Sequence, residues 1–290
     1  MGLKRVCSVR DVGPSEKIEA NVISYFDYEF VDNGAYFNIA LNETGDYNSN
    51  LSALSKVNDQ RGFTYWAGPK NWVYESGADN SGVYAPAQIY VNGSGYSLGT
   101  VNYRDGYVYN VPISATGVSA RYSYRWISFV SARKTGIGQK LTSNAIQYSG
   151  INPEIELALP IVTVDVSPIN KVKDYGLSAD RIKNLEYEIK FTVISTSDSD
   201  VKRISDILVN QKNSYIDSFD PTTVRDSGDF PLTKNGTLKS GKSHAELVSL
   251  YPWNSIYILD TTAKYSNYVN SNLSQAVVTM KIETPNCGCS

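Results

Sequence analysis

The chain of 290 residues has few of the side chains that enzymes most often use at a reactive centre. It contains one histidine, His244, and two methionines. Histidine is the usual general acid or base, so any Ser–His or Cys–His nucleophilic site would have to use His244. The neighbouring residues, 242–246, show no triad pattern. We therefore expect a surface histidine on a loop, and no catalytic residues.

Cysteine is also scarce, and its positions exclude a disulfide framework. Cys7, Cys287 and Cys289 lie at the two ends of the chain, where a disulfide would only tie down the tails. One residue separates Cys287 from Cys289, which is not the spacing of a zinc knuckle, and no histidine cluster completes a ligand set. We predict reduced, unpaired thiols, no metal site and no cofactor.

The sequence lacks both a long hydrophobic run and an excess of charge of either sign. Residues 1–6 do not form the apolar run of a signal peptide, and no segment approaches membrane-spanning length. The 27 basic and 29 acidic residues exclude a general attraction of the whole surface to nucleic-acid phosphates. These features predict a soluble cytoplasmic product with no membrane partner.

Tyrosine, by contrast, is abundant, with 22 copies against 8 phenylalanines. This residue is favoured where an apolar body meets water or another subunit. We therefore expect a protein surface with many intermolecular contacts.

The clearest structural pattern covers residues 185–211. Apolar side chains alternate with polar ones in the first part, which predicts a half-buried strand. The predicted buried residues are Leu185, Tyr187, Ile189, Phe191 and Val193, and the predicted wet ones are Glu186, Glu188, Lys190 and Thr192. Ser197 and Asp200 then have the spacing of a capping box. An apolar stripe at helical spacing follows, formed by Val201, Ile204, Ile207 and Leu208.

Hairpin patterns dominate the first half of the chain. Strands are predicted at residues 89–91, 98–103 and 107–109, with turns at Asn92–Gly93 and Asp105–Gly106. Residues 118–126 predict one long strand with an aromatic buried face and a wet face that includes Arg121 and Arg125. A hairpin is also predicted between residues 23–30 and 36–41, although residues 16–26 fit one face of a helix equally well.

These elements predict an α+β fold that is rich in β structure. We expect an N-terminal domain of β-hairpins over residues 1–135 and a linker or extended arm, poor in large apolar residues, over residues 136–150. The expected C-terminal domain, residues 151–290, has strands at 157–166, 185–193, 255–262 and 275–283 and a turn-rich loop at 217–242. In this domain one helix covers a mostly antiparallel sheet.

Residues 236–243 match the phosphate-binding P-loop pattern, with Gly236, Gly241, Lys242 and Ser243 in the required places. A working P-loop needs a buried parallel strand before the first glycine and a helix after the last residue. Pro231 and a polar 233–235 segment precede it, and Pro252 limits the helix that follows. The sequence therefore predicts a glycine-rich surface loop, and an NTPase remains a third alternative.

Other candidate sites have structural explanations as well. The carboxylate pair Asp198 and Asp200 lies at a helix start, and the pair Glu186 and Glu188 lies on a solvated strand face. A platform for single-stranded nucleic acid or sugar is suggested by four cations with three aromatics between them: Arg121, Arg125, Arg133 and Lys134, with Tyr122, Tyr124 and Trp126. Alternation favours core packing for these aromatics.

Four short blocks occur in order within residues 86–285. They are the hairpin unit at 89–103 with its turn at 105–106, the strand end at 122–126, the segment 159–166 ahead of the strand and helix, and residues 275–280. In this arrangement the chain resembles tailed-bacteriophage neck and tail-completion proteins, and its C-terminal domain is similar to that of tail terminators.

The resemblance implies a non-enzymatic virion protein that assembles in the bacterial host cytoplasm. It implies a homo-oligomeric ring, a hexamer, around a channel through which genomic DNA passes without specific binding. The implied partners are the tail tube protein and the head-closure, connector or portal-associated proteins. The family has no catalytic motif to transfer, so no site residues are implied. The alternative is a tail-tip or fibre-associated module that binds host-surface glycan through tyrosine and tryptophan.

Overall fold

A computed structural model describes residues 12–32, 38–40, 52–56, 64–66, 72–74, 86–125, 127–135, 159–168, 171–175, 182–239, 241–270 and 273–285. Within these residues the chain forms five helices and seventeen strands, so the predicted α+β, β-rich class is confirmed. The chain divides into two compact units. Unit 1 comprises Met1–Phe26, Ser128–Leu238 and Lys242–Ser290, and unit 2 comprises Asp27–Ile127 and Lys239–Gly241.

Helix α1 (Pro14–Asp32) begins in unit 1 and ends in unit 2. The remaining helices are α2 (Ala132–Thr135), α3 (Asp198–Val209), α4 (Pro221–Ser227) and α5 (His244–Leu250). The strands of unit 1 are β11 (Ser128–Ser131), β12 (Ile161–Val166), β13 (Lys171–Tyr175), β14 (Ile182–Ser195), β15 (Tyr215–Ile216), β16 (Ile256–Asn270) and β17 (Leu273–Pro285).

One seven-stranded sheet organises unit 1, in the order β11-β12-β14-β17-β16-β15, with β13 pairing the first part of β14. Only β11 and β12 pair in parallel. The predicted strand within β14 is confirmed, because all five of its predicted core residues are at most 4% exposed. Phe26 of α1 packs edge-on against Phe191, and its ring stacks on Phe129.

Helix α3 covers the same face of the sheet, and its predicted start is confirmed. The Ser197 side chain accepts a hydrogen bond from the Asp200 amide. The Ser197 amide donates to Ser195 Oγ at 3.1 Å, which takes the place of the bond expected from an acidic side chain. In the predicted stripe, Val201, Ile204 and Leu208 are buried. Ile207 is only half-buried, and Ser205 occupies the fourth buried position.

The described residues of unit 2 form ten short strands: β1 (Asn38–Ala40), β2 (Ser52–Ala53), β3 (Ser55–Lys56), β4 (Tyr65–Trp66), β5 (Gln88–Val91), β6 (Ser94–Gly95), β7 (Thr100–Asn102), β8 (Tyr107–Tyr109), β9 (Val118–Arg121) and β10 (Ser123–Arg125). They form a pair β1-β10 and two four-stranded sheets, β2-β9-β5-β6 and β3-β4-β8-β7. The predicted turns are present, since Asn92, Gly93 and Gly106 all have positive φ.

The predicted hairpin at residues 23–30 and 36–41 is wrong. Residues 23–30 belong to α1, and β1 pairs with β10. The buried side chains of α1 recur at helical spacing, at Ile18, Val22, Ile23, Phe26 and Phe30. The helical alternative for residues 16–26 is therefore the correct one, and the turn residues Asn33 and Gly34 lie outside the described residues.

The predicted long strand at residues 118–126 is wrong in its second half. Alternation holds through Tyr122, and then the strand breaks so that Ser123 and Arg125 are buried while Tyr124 is half-buried. The wet face predicted for Arg125 is therefore wrong, and Trp126 lies outside the described residues.

The turn-rich loop predicted at residues 217–242 also contains a helix. Asp220 caps the start of α4 by accepting from the Thr222 amide, Pro221 occupies its first turn, and Gly228 ends it with φ 86°. The predicted linker, residues 136–150, lies outside the described residues, so the predicted domain boundaries stay a prediction.

Candidate assembly surface

The face of the unit 1 sheet opposite Phe191 is here called the open face. One end of it is buried in a small apolar cluster of Val130, Ile161, Ile194 and Leu273, and the rest carries polar side chains. Strand register places Asp165, Lys190 and Thr279 in one row across three strands, and Glu188 and Lys281 in the next. Lys190 and Lys281 are exposed, and Asp165 and Glu188 are half-exposed. The prediction of a wet face on β14 is therefore confirmed.

Charges on and around the open face largely neutralise one another. Lys190 lies 3.7 Å from Glu188, and Arg133 lies 2.7 Å from Asp165. Exposed pairs of this kind contribute little to stability, about 0–1 kcal/mol each. Their main consequence is that charges of both signs lie close together on this part of the surface.

Strand β16 provides a second surface feature. It pairs along its length with β17, whereas β15 pairs only with Ile256 and Tyr257 on the other side. Among the described strands none pairs with the outer edge of β16 beyond that point. Residues 262–266 are here called the open edge, and all of their side chains are exposed except that of Ala263, which is half-buried.

An open edge presents unpaired backbone groups to a further strand. A register shift between Ile258 and Asp260 and the exposed Lys264 are features that limit indiscriminate pairing at such an edge. Tyr265 donates to Asp206 Oδ1 of α3 at 3.0 Å and so ties the edge to the helix. The arrangement can accept one matching strand by β-augmentation.

The only histidine lies inside unit 1, so the predicted surface position is wrong. His244 is 6% exposed. Its Nδ1 is 2.8 Å from Ser24 Oγ of α1, and its Nε2 is 2.9 Å from the Asp217 carbonyl oxygen. The carbonyl can only accept, so Nε2 carries the proton and Nδ1 accepts from Ser24.

Burial lowers the pKa of His244 to about 4, against the raising effect of the Asp217 carbonyl and carboxylate. The ring is therefore neutral at pH 7. Tyr25 and Phe219 pack edge-on against it at 5.4 and 5.7 Å between centroids. Ser24 is itself 5% exposed, so this Ser–His contact joins α1 to the start of α5 within the core.

The described part of the motif, residues 236–239 and 241–243, has a different structure from a P-loop. Gly236 turns a small hairpin in which the Thr233 amide donates to the Thr237 carbonyl and Leu232 bridges to Leu238. Lys242 Nζ lies 3.2 Å from Asp229, and its hydrogen bond lowers the pKa of that carboxyl. Ser243 is the N-cap of α5 in a complete capping box with Glu246. The key residues of the motif thus have structural partners.

The four cations of the proposed basic and aromatic platform are divided between the two units. Arg125 Nε lies 2.9 Å from Asp27 as a buried ion pair, and Arg121 lies over the ring of Tyr90. These two cations belong to unit 2, whereas Arg133 and Lys134 belong to unit 1. Lys134 Nζ lies 3.4 Å from Glu16.

The two carboxylate pairs also have structural partners. Asp198 forms an (i, i+4) ion pair with Lys202 at 2.7 Å, which raises the pKa of Lys202. Glu186 lies opposite Lys171 on one neighbouring strand and Glu283 on the other. Within the described part of the chain no three His, Cys, Asp or Glu side chains are placed to hold a metal ion. The three cysteines lie outside the described residues.

Two surface features were missed by sequence reasoning. The predicted strand ended at residue 262, where the open edge begins, whereas β16 continues to Asn270. The prediction ended there because residues 262–266 carry polar side chains towards both faces. Trp66 lies in a strand of two residues, which is too short to show a period. No helix of the described residues combines the length and the apolar character that crossing a membrane requires.

No protein-family model matches this chain, and no curated protein is significantly similar to it in sequence.

Proposed function

We propose that this chain is a non-enzymatic structural protein of a tailed bacteriophage, and that it forms a ring in the neck or at the top of the tail around the DNA channel. The observation that carries the proposal is the open edge of β16. This strand belongs to the sheet that packs one face against α1 and α3. The sequence resemblance supplies the virion setting.

Ring formation needs a heterologous interface, in which one surface of a subunit meets a different surface of the next. The open edge supplies one half of such an interface, because a strand from a neighbouring copy could add to it. Main-chain hydrogen bonds would give affinity, and the register shift at 258–260 would restrict the partner to a matching strand. In this proposal the tail-terminator-like part corresponds to the sheet of unit 1 and α3.

The charge distribution is consistent with a channel that does not hold DNA. The chain has a net charge of −2, and the open face mixes both signs. Tight phosphate binding depends on many Lys or Arg contacts, which such a surface does not supply. The buried, neutral His244 and the ion-paired Lys242 also favour a structural role over a catalytic one.

The first test is the mass of the purified protein by light scattering, together with negative-stain images. The proposal predicts closed rings of one size, a multiple of the 32.0 kDa chain, that bind to the end of isolated tail tubes. A monomer at every concentration would overturn ring formation. A ring that never binds tail tubes would overturn the position in the neck while leaving the assembly intact.

A matched pair of proline variants tests the edge itself. Successive N–H groups of a strand point to opposite sides, so of Ala263 and Lys264 one donates towards β17 and the other points outward. Proline removes that donor. Of Ala263→Pro and Lys264→Pro, the variant that replaces the outward-pointing amide should unfold near the wild-type temperature. We expect this fold-preserving variant to be monomeric. If that fold-preserving variant still forms rings, the ring interface lies elsewhere.

A further inference from the structure

The sheet of unit 1 has a second uncovered strand, on the side away from β16. Strand β13 (Lys171–Tyr175) pairs on one side with the first part of β14. Strand β11 pairs with β12 as far as Val164, and among the described strands none pairs with the outer side of β13. An edge strand presents unpaired N–H and C=O groups. The described sheet therefore has an unpaired edge on each side, at β13 and at residues 262–266.

The directions of the strands allow these two edges to join. Strand β17 is antiparallel to both β14 and β16, so β16 runs parallel to β14. Strand β13 runs antiparallel to β14. A second copy, placed beside the first with the same face of its sheet outward, therefore presents its β13 antiparallel to β16. The joined sheet would continue the antiparallel pattern of the three long strands.

The two sides of the sheet are also stepped in a complementary way. On one side β15 projects beside Ile256 and Tyr257, and residues 262–266 are set back. On the other side β11 projects beside residues 161–164, and β13 is set back. The projecting strand comes before the recessed segment on each side. Because the joined strands run in opposite directions, the two projections lie at opposite ends of the joint and do not collide.

The strand register gives the stagger that this joint requires. Lys264 lies in the row of Thr192 of β14, and position 173 lies in the row of Asn184. Bringing position 173 of one copy beside Lys264 of another therefore displaces the second copy by the length of β14 from Asn184 to Thr192. At about 3.4 Å per residue this is about 27 Å along the strands. Strands in the wall of such a ring would be tilted, as they are in closed barrels.

We propose that the outer side of β13 in one copy of this chain pairs with the open edge of β16 in the next copy. This inference rests on the proposed ring and names the second surface that the ring needs. Each copy then uses each of its two edges once, which is the head-to-tail arrangement of a cyclic assembly. Main-chain hydrogen bonds would join residues 171–175 of one copy to residues 262–266 of its neighbour.

Pairing of two open edges with each other fits the structure less well. Two copies of β16 related by a two-fold axis at the centre of the open edge would place Lys264 directly opposite Lys264 of the second copy. Like charges in directly opposite positions are destabilising. Such pairing would also use the same edge of both copies and would give dimers in place of rings.

A mixing experiment tests the proposal. Successive N–H groups of a strand point to opposite sides, so one of Val172→Pro and Lys173→Pro removes an outward donor of β13. The variant of this pair that unfolds near the wild-type temperature should be monomeric, like the fold-preserving proline variant of β16. Each of these two variants keeps one intact edge. Mixed in equal amounts, they should form a heterodimer with twice the mass of the 32.0 kDa chain, and nothing larger, by mass photometry.

Cysteine crosslinking is the second measurement, in a full-length background whose three native cysteines are replaced by serine. Lys264→Cys combined with Lys173→Cys should give a ladder of crosslinked chains with a short bis-maleimide, up to the full ring. Lys264→Cys alone should give no crosslinked dimer. Lys281→Cys combined with Lys173→Cys is the matched control, because Lys281 is exposed on the open face but lies inside the sheet, in β17. It should stay uncrosslinked.

The outcomes separate this inference from the ring itself. Wild-type rings without a heterodimer in the mixture, or without a crosslinked ladder, would overturn the pairing of β13 with β16 and leave the ring intact. Crosslinked dimers of the Lys264→Cys variant alone would show that two open edges pair with each other, and would overturn it as well. A wild-type protein that is always monomeric would overturn the proposed ring, and with it this inference.

Discussion

Three strands of 13 to 15 residues run through the sheet of unit 1, whereas the described strands of unit 2 have two to four residues. A long alternating strand buries a continuous apolar layer beneath α1 and α3. Short strands cannot do this, so unit 2 relies on contacts between distant residues. Trp72 stacks on Tyr122 with ring centroids 3.9 Å apart, and Arg125 pairs with the buried Asp27.

The two units also differ in the side chains on their outer surfaces. The open face of unit 1 carries neutralising charges beside an open strand edge, which suits assembly with other copies. On the β3-β4-β8-β7 sheet of unit 2, Trp66, Tyr107 and Tyr109 lie on the side opposite the buried Tyr65 and Val108.

The largest expected effect concerns the apolar layer of unit 1. Phe191→Ala removes a fully buried ring that contacts Phe26 at 5.2 Å between centroids, and should cost about 3–5 kcal/mol of unfolding free energy. Thr192→Ala, on the open face of the same strand, should cost less than about 1 kcal/mol. Urea denaturation of both variants measures the difference. Equal losses would contradict the assignment of the two faces.

A second pair of variants compares a buried ion pair of unit 2 with an exposed one of unit 1. Arg125→Met leaves the buried carboxylate of Asp27 without this partner and should cost about 3 kcal/mol or more. Arg133→Met breaks a pair with Asp165 that is shorter, at 2.7 Å, but about half-exposed, and should cost about 1 kcal/mol or less. Denaturant midpoints test this. A loss of about 1 kcal/mol or less for Arg125→Met would show that its pair with Asp27 contributes no more than an exposed one.

The third prediction concerns pH and His244. The pKa of this ring is lowered to about 4 in the fold, against about 6.5 when unfolded, so the unfolded chain binds the proton first as pH falls. The contribution of the neutral His244 ring to the free energy of unfolding is complete above about pH 6.5. It falls progressively as the pH is lowered, by about 2–3 kcal/mol at pH 4.

His244→Gln provides the control for this pH dependence, because glutamine does not titrate. The stability difference between wild type and His244→Gln should shrink by about 2–3 kcal/mol between pH 7 and pH 4, measured by thermal unfolding in matched buffers. A difference that stays constant with pH would mean that the ring is not buried in its neutral form.

The smallest expected effect is at Gly236, where unit 1 packs a turn closely. A Cβ there would lie 2.6 Å from the Cβ atoms of both Ser131 and Lys134, and the backbone has φ 74°. Gly236→Ala should therefore cost about 1–2 kcal/mol. Gly241→Ala is the control, because a Cβ at Gly241 meets nothing within 4 Å. Nucleotide-binding assays of both variants should show no change, since no P-loop forms there.

Sequence patterns predicted the structure where the determining contacts are local. The alternation along 185–193 and the cap at Ser197 were enough to predict β14 and α3, and the wet residues Glu186, Glu188 and Lys190 followed directly. The Asp220, Pro221 and Gly228 signals of α4 were also present, and a closer application of the same capping rules would have found that helix.

Non-local contacts explain what the sequence did not predict. Arg125 is buried because Asp27, 98 residues away, neutralises it, and His244 is buried because Ser24 and Asp217 satisfy its two nitrogens. The open edge depends on which strands pair with β16. No periodic pattern in the sequence indicates these contacts between distant residues.

Residue-resolved amide hydrogen exchange of the assembled protein along β16 tests the central claim most directly. In an unpaired edge strand only every second amide is protected, by β17, and the others exchange fast. If a neighbouring copy adds a strand, the amides of residues 262–266 should all be protected in the assembled protein. Alternating protection in an intact ring would contradict the account, because the open edge would then be free of any partner.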